Sequence, residues 1–168
     1  ATTGYDNIAR VWDVATGKTL GTELQHQKQV MVVAFSPDGL LVATGSSDKT
    51  ARVWETGTGK PVSAVLQHQN QVQSVAFSPD GSLVATASDD WTAQVWEVKT
   101  GKRVGAVLQH QEQVVALAFS PDGSLVATGS SDRTARVWDA HTGKPVSALL
   151  SHNAKVFALA FSPDGALV

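Results

Sequence analysis

One 42-residue unit, repeated four times, accounts for all 168 residues and limits the possible folds more than any other feature. Ser-Pro-Asp-Gly begins at Ser36, Ser78, Ser120 and Ser162, and Val-Trp followed by an acid recurs with Trp12, Trp54, Trp96 and Trp138. When the copies 1–42, 43–84, 85–126 and 127–168 are stacked, 20 of the 42 columns are identical in all four, too many for coincidence. A repeat of this length is one supersecondary unit. It cannot bury its apolar surface alone, so neighbouring units must share a core within one domain.

Each copy reads as four short strands. Val30 to Phe35 is apolar with small residues interleaved, as in a strand buried on both faces. In Ser36-Pro37-Asp38-Gly39, Pro presets φ, Asp bonds back to the backbone and Gly supplies a positive φ, so a hairpin turn follows. Leu40 to Gly45 is the second strand, Ser47-Asp48-Lys49 a turn, Ala51 to Trp54 the third strand, Gly57-Thr58-Gly59-Lys60 a turn, and Val62 to Leu66 the fourth strand. This order predicts an antiparallel four-stranded sheet per repeat. No segment sustains a 3.6-residue apolar period, so no helix is expected.

The ordered set His26, Ser36-Pro37-Asp38-Gly39, Asp48 and Trp54-Glu55, present in each copy, resembles the WD-repeat β-propeller family over the whole chain. The resemblance implies an all-β propeller with one four-stranded antiparallel blade per repeat. It also implies a structural tetrad of His, Asp, Ser or Thr, and Trp in each blade. By position these are His26, His68, His110 and His152; Asp6, Asp48, Asp90 and Asp132; and Trp12, Trp54, Trp96 and Trp138. The hydroxyls are Thr2, Thr44, Thr86 and Thr128, with Ser46 and its counterparts as rivals. The Gly usual before the His is Gln25, Gln67, Gln109 or Ser151 here, which puts the usual geometry of that loop in doubt.

Leu-Val-Ala-Thr is complete at Leu41, Leu83 and Leu125, whereas Leu167-Val168 and Ala1-Thr2 make a fourth only when joined tail to head. The last blade is therefore expected to be built from both ends. Either one chain closes a four-bladed ring, or each end meets the opposite end of a second chain. Blades of this family resemble wedges suited to rings of about seven, so four would need a much sharper turn. An incomplete ring also leaves an apolar face and a strand edge open. The expectation is an eight-bladed ring formed as a homodimer, through the shared blade and the open faces. Near-uniform repeats suggest recent amplification, engineering, or excision from a longer array.

A net charge of −2 argues against nucleic acid as the partner. No apolar run approaches a bilayer span, so no membrane is expected. Ala1 to Asp6 is polar and lacks a signal-peptide pattern; with no cysteine in the chain, a cytoplasmic, reducing location is the expectation.

The residues do not spell an enzyme. Four of the five histidines share one repeat position and so lie a blade apart, without the local spacing of a metal site; His141 stands alone and reads as a solvated turn residue. Ser, His and Asp recur fourfold, whereas a catalytic triad needs one unique arrangement. Gly17-Lys18-Thr19 lacks the phosphate-loop glycine, since Trp12 stands there. Each Asp-Gly turn offers one carboxylate, too few for calcium. No cofactor and no metal are expected.

If tetrads and turns are scaffold, function belongs where the copies differ. One variable column holds Asn7, Lys49, Trp91 and Arg133; another holds Met31, Gln73, Val115 and Phe157; Tyr5 lies beside the first. The family resemblance implies that all reach the upper face near the central channel, where other proteins could bind. Trp91 stands out because its counterparts are polar or charged. A rim Trp is a typical anchor, though one resting on a neighbouring loop is the plainer reading. Met31, Phe157 and Tyr5 could form a binding lip or fill the channel mouth. A self-assembling propeller without a natural ligand is the alternative.

Overall fold

The computed structural model describes residues 1–168 and contains strands and turns but no helix. The first sheet comprises β1 (Thr2–Thr3), β2 (Ile8–Trp12) and β3 (Thr19–Gln25). The second comprises β4 (Val30–Phe35), β5 (Leu41–Ser46), β6 (Thr50–Glu55) and β7 (Leu66–Gln67). The third comprises β8 (Val72–Phe77), β9 (Leu83–Ser88), β10 (Thr92–Glu97) and β11 (Arg103–Gln109). The fourth comprises β12 (Val114–Phe119), β13 (Leu125–Ser130), β14 (Thr134–Asp139) and β15 (Leu150–Ser151). Each sheet is a blade whose strands meander antiparallel from inside to outside.

The Ser-Pro-Asp-Gly turns form as their residue types dictate. The Gly39 amide donates to the Ser36 carbonyl at 2.9 Å, the Leu41 amide donates to Ser36 Oγ at 2.9 Å, and Ser36 Oγ donates to Asp38 Oδ1 at 2.5 Å. In the third blade, hydrogen bonds from Ser78 and Ser82 hold the Asp80 carboxyl down to about 2. A carboxylate kept ionised by its own turn is a closing device, not a free acid.

The core lies between blades. Trp54 packs with Ala9, Val11 and Leu24 of the preceding blade. Trp96 packs likewise with Val53 and Leu66, and Trp138 with Val95 and Leu108. The second strands of the second, third and fourth blades, β5, β9 and β13, are buried on both faces, and their small residues let a neighbouring blade approach. A Cβ on Gly45 would meet Val72 Cγ1 at 2.7 Å. Each fully buried Leu (Leu24, Leu66 and Leu108) contributes about 1.5–3 kcal/mol of burial.

Two features depart from four uniform strands per repeat. The first sheet has three strands, and residues 156–161 near the other end of the chain form no strand, although the Val156 amide donates to the Ser130 carbonyl at 3.0 Å. The outermost strand also alternates, running seven residues in β3 and β11 but two in β7 and β15, where Val62–Leu66 had suggested five. Gly21 and Gly105, at φ 67° and 66°, carry a bulge that keeps the long strands in register. Pro61 and Pro145 lack an amide donor and Ser63 and Ser147 replace the bulge glycines, so there the pairing shrinks to isolated bridges at Trp54–Pro61 and Trp138–Pro145. The blades thus alternate in type: long, short, long, short.

Candidate interaction face and its supporting tetrads

Three tetrads assemble within the chain. His68 Nδ1 lies 2.8 Å from Asp90 Oδ2, His68 Nε2 lies 2.7 Å from Thr86 Oγ1, and Trp96 Nε1 donates to the same hydroxyl at 2.8 Å. His26, Asp48, Thr44 and Trp54 repeat this geometry, as do His110, Asp132, Thr128 and Trp138. A proton order that serves these atoms runs Trp N–H to Thr oxygen, Thr O–H to His Nε2, and His Nδ1–H to Asp. In the tetrads of His26 and His110 that order goes with a neutral imidazole. Burial pushes the His26 and His110 imidazoles below their ordinary value, against the opposing pull of Asp48 and Asp132. Burial would raise the Asp48, Asp90 and Asp132 carboxyls. Bonds from the tetrad histidines, from Thr50, Thr92 and Thr134, and from the Gln27, Gln69 and Gln111 amides outweigh it and hold them low.

Thr44, not Ser46, is the hydroxyl of its tetrad; Ser46 Oγ donates instead to the Lys28 and Gln29 carbonyls. Gln25, in the place of the usual Gly, ends β3 and turns its amide onto the His26 carbonyl at 2.9 Å.

The remaining tetrad positions do not assemble. Trp12 Nε1 donates to Thr2 Oγ1 at 2.8 Å, but Asp6 is engaged by Arg10 at 2.6 Å, whose hydrogen bond keeps that carboxyl low. His152 is exposed at the other end of the chain, where its amide donates to the Arg133 carbonyl at 2.8 Å.

The variable columns sit directly above the tetrads. Asn7, Lys49, Trp91 and Arg133 all adopt left-handed backbone, with φ of 67°, 74°, 73° and 69°. The carbonyls of these four residues accept the amides of His26, His68, His110 and His152 respectively, so the turn that presents each variable side chain also anchors a tetrad loop. The amides of Ser47, Asp89 and Ser131 donate to Gln29, Gln71 and Gln113, joining this turn to the loop that enters the innermost strand. Gln73 Nε2 reaches Asp89 Oδ2 at 2.9 Å. The two columns therefore share one end of the blades. Lys49, Arg133, Met31 and Tyr5 are exposed there, Asn7, Gln73 and Val115 half-buried, and Phe157 exposed beyond the last paired strand.

Trp91 is the anomaly on this face. Left-handed backbone suits Asn but costs a bulky side chain about 1–2 kcal/mol, and the Trp91 ring remains 51% exposed. The variability of its column pointed to Trp91 in the sequence. The backbone conformation did not show there, because the Lys, Arg and Trp found in the column give no hint of a positive φ.

The WD domain, G-beta repeat family matches the chain at residues 17–55, 59–97, 101–139 and 143–168. An uncharacterized WD repeat-containing protein of Schizosaccharomyces pombe is 44% identical over 41 residues, which are 24% of this chain and 10% of that protein. The crystal structure of the computationally designed Ika8 protein superposes with a TM-score of 0.86 at 33% identity, covering 95% of this chain and 48% of that one. The chain thus spans about a tenth of the yeast protein and about half of the designed one. Four matched repeats, each folded as a blade around the His, Asp, Thr and Trp positions that recur through the chain, place it in the WD domain, G-beta repeat family.

Proposed function

We propose that the chain is a non-enzymatic interaction scaffold that binds protein partners through the face bearing Asn7, Lys49, Trp91 and Arg133. The observation behind this reading is Trp91. A large aromatic ring occupies a position whose backbone disfavours it, half exposed, where the other blades carry polar or charged residues. Strain retained at an exposed aromatic fits selection for contact rather than for folding. Met31, Gln73, Val115 and Tyr5 extend the surface at the same end of the blades, and Lys49 and Arg133 add cations to it.

Trp91→Asn tests the reading, because Asn suits the left-handed turn. The variant is expected to melt higher while losing partners captured by the immobilised wild type, compared quantitatively in one lysate. Equal capture by both proteins overturns it. That outcome belongs to the second reading, a self-assembling, consensus-like propeller without a natural ligand, which the likeness to a designed protein favours.

A further inference from the structure

The chain's two flanks are unlike each other, and each lacks what the other offers. The repeat makes this testable position by position, since every contact between neighbouring blades has counterparts one, two or three repeats along.

The core contact comes first. Trp54 packs with Val11, Leu24 and Val42. Three repeats on from those residues stand Val137, Leu150 and Val168, which line an open groove of about 250 Å³ on the last blade together with Leu125 and Phe161. Three repeats on from Trp54 is Trp12 of a following copy, and Trp12 is 40% exposed in this chain, against 5% for Trp54.

The tetrad follows the same rule. Each assembled tetrad takes its His from one blade and its Asp, Thr and Trp from the next. Within residues 1–168 the His152 ring meets no Asp, Thr or Trp, and Thr2, Asp6 and Trp12 meet no His.

Two backbone contacts repeat the pattern. Cβ atoms on Gly81, Gly123 and Gly165 would lie 3.8, 3.3 and 3.5 Å from the rings of Pro37, Pro79 and Pro121, whereas Gly39 meets nothing; its counterpart is Pro163. Gly101 approaches the Ala64 carbonyl, whereas Gly17 is open; its counterpart is Ala148.

Blade type agrees as well. The open C-terminal flank belongs to a short-strand blade and the open N-terminal flank to a long-strand blade, the same order as at the junction between the second and third sheets.

We infer that a second copy of this chain is the occupant of both flanks. The partner's Val156–Phe161 segment supplies the strand missing inside β1, its His152 completes the tetrad of Thr2, Asp6 and Trp12, and its Val137–Leu150–Val168 groove takes the Trp12 ring. Each copy carries one flank of each kind, so a two-fold axis makes both junctions at once and leaves neither flank open. The arc overlies 48% of the designed chain, so two arcs account for nearly that chain's length, giving eight blades.

The chain has no cysteine, which permits a clean test with the full 168 residues. The pairing of Val32 with Gly45 places Ala158 opposite Thr3 of the second copy. Ala158→Cys combined with Thr3→Cys should give, on oxidation, one covalent species of twice the 17.6 kDa chain mass, and light scattering of the wild type at micromolar concentration the same doubled mass. An oxidised single chain, a ladder of larger species, or a wild-type mass of one chain overturns the inference. His152 is exposed and holds the fold only by its backbone, so His152→Ala should fold normally and dissociate at a concentration at least tenfold higher. An unchanged dissociation constant removes the tetrad from the junction.

Discussion

Trp96 and Trp12 occupy the same column of the repeat, yet one is 7% exposed and the other 40%. Both indoles donate to a threonine hydroxyl at 2.8 Å. At the inner junction the hydroxyl is also bonded to His68, the carboxylate of Asp90 is tied to that His, and the ring lies against the preceding blade. At the chain's flank Asp6 turns to Arg10. A column residue thus carries an affinity for particular neighbours. Whether it becomes core depends on whether the adjacent blade is present, because the core lies between sheets and not within them.

Truncation of buried bulk probes that comparison most strongly. Leu108→Ala removes a fully buried side chain and is expected to cost about 3 kcal/mol, whereas Leu150→Ala, its counterpart on the open flank, should cost less than about 1 kcal/mol in the single chain. Equal costs in urea unfolding would abolish the distinction between inner junction and flank.

The tetrads offer the next probe. His68→Ala leaves Thr86 and Asp90 short of a buried partner and should cost about 2 kcal/mol at every protein concentration. His152→Ala should leave the dilute-solution melt unchanged and lower only the part of Tm that rises with concentration.

Acid titrates the same contrast. The His26 and His110 imidazoles sit below their ordinary 6.5, so the folded chain binds fewer protons there than the unfolded one. Their contribution is complete above that value and is lost as pH falls through it. The Asp48, Asp90 and Asp132 carboxyls, also held low, add a second loss below their ordinary 3.8. The melting temperature should be flat near pH 8 and fall below about 6.5. A melting temperature that rises on acidification would contradict the neutral tetrad.

The smallest effect expected is at the interaction face, where Trp91→Asn should stabilise by about 1 kcal/mol through relief of left-handed strain. Lys49→Asn, at a turn of the same conformation, should gain a similar amount in a thermal melt.

Much of the architecture was legible because the repeat multiplies every signal. The innermost strand from Val30 to Phe35 and the Ser36–Gly39 turn are fixed by local residue types, and the structure has them at the same residues. The alternation of outer strands was harder to read. Pro61 and Ser63 are ordinary residues near a turn, and they matter only because Gly21 and Gly105 elsewhere permit a bulge. Thr44 and Ser46 stand two apart and share a strand face, so alternation could not choose between them; the position of the His26 ring does.

What the sequence alone determined is the blade and its period, since those follow from turn chemistry and from apolar patterning repeated four times, whereas the tetrad positions came from the resemblance to the WD-repeat family. Tertiary structure decided which tetrads close and which side chains become core. Both properties arise between neighbouring sheets, where a buried hydrogen bond or a filled groove exists only once the second surface is in place.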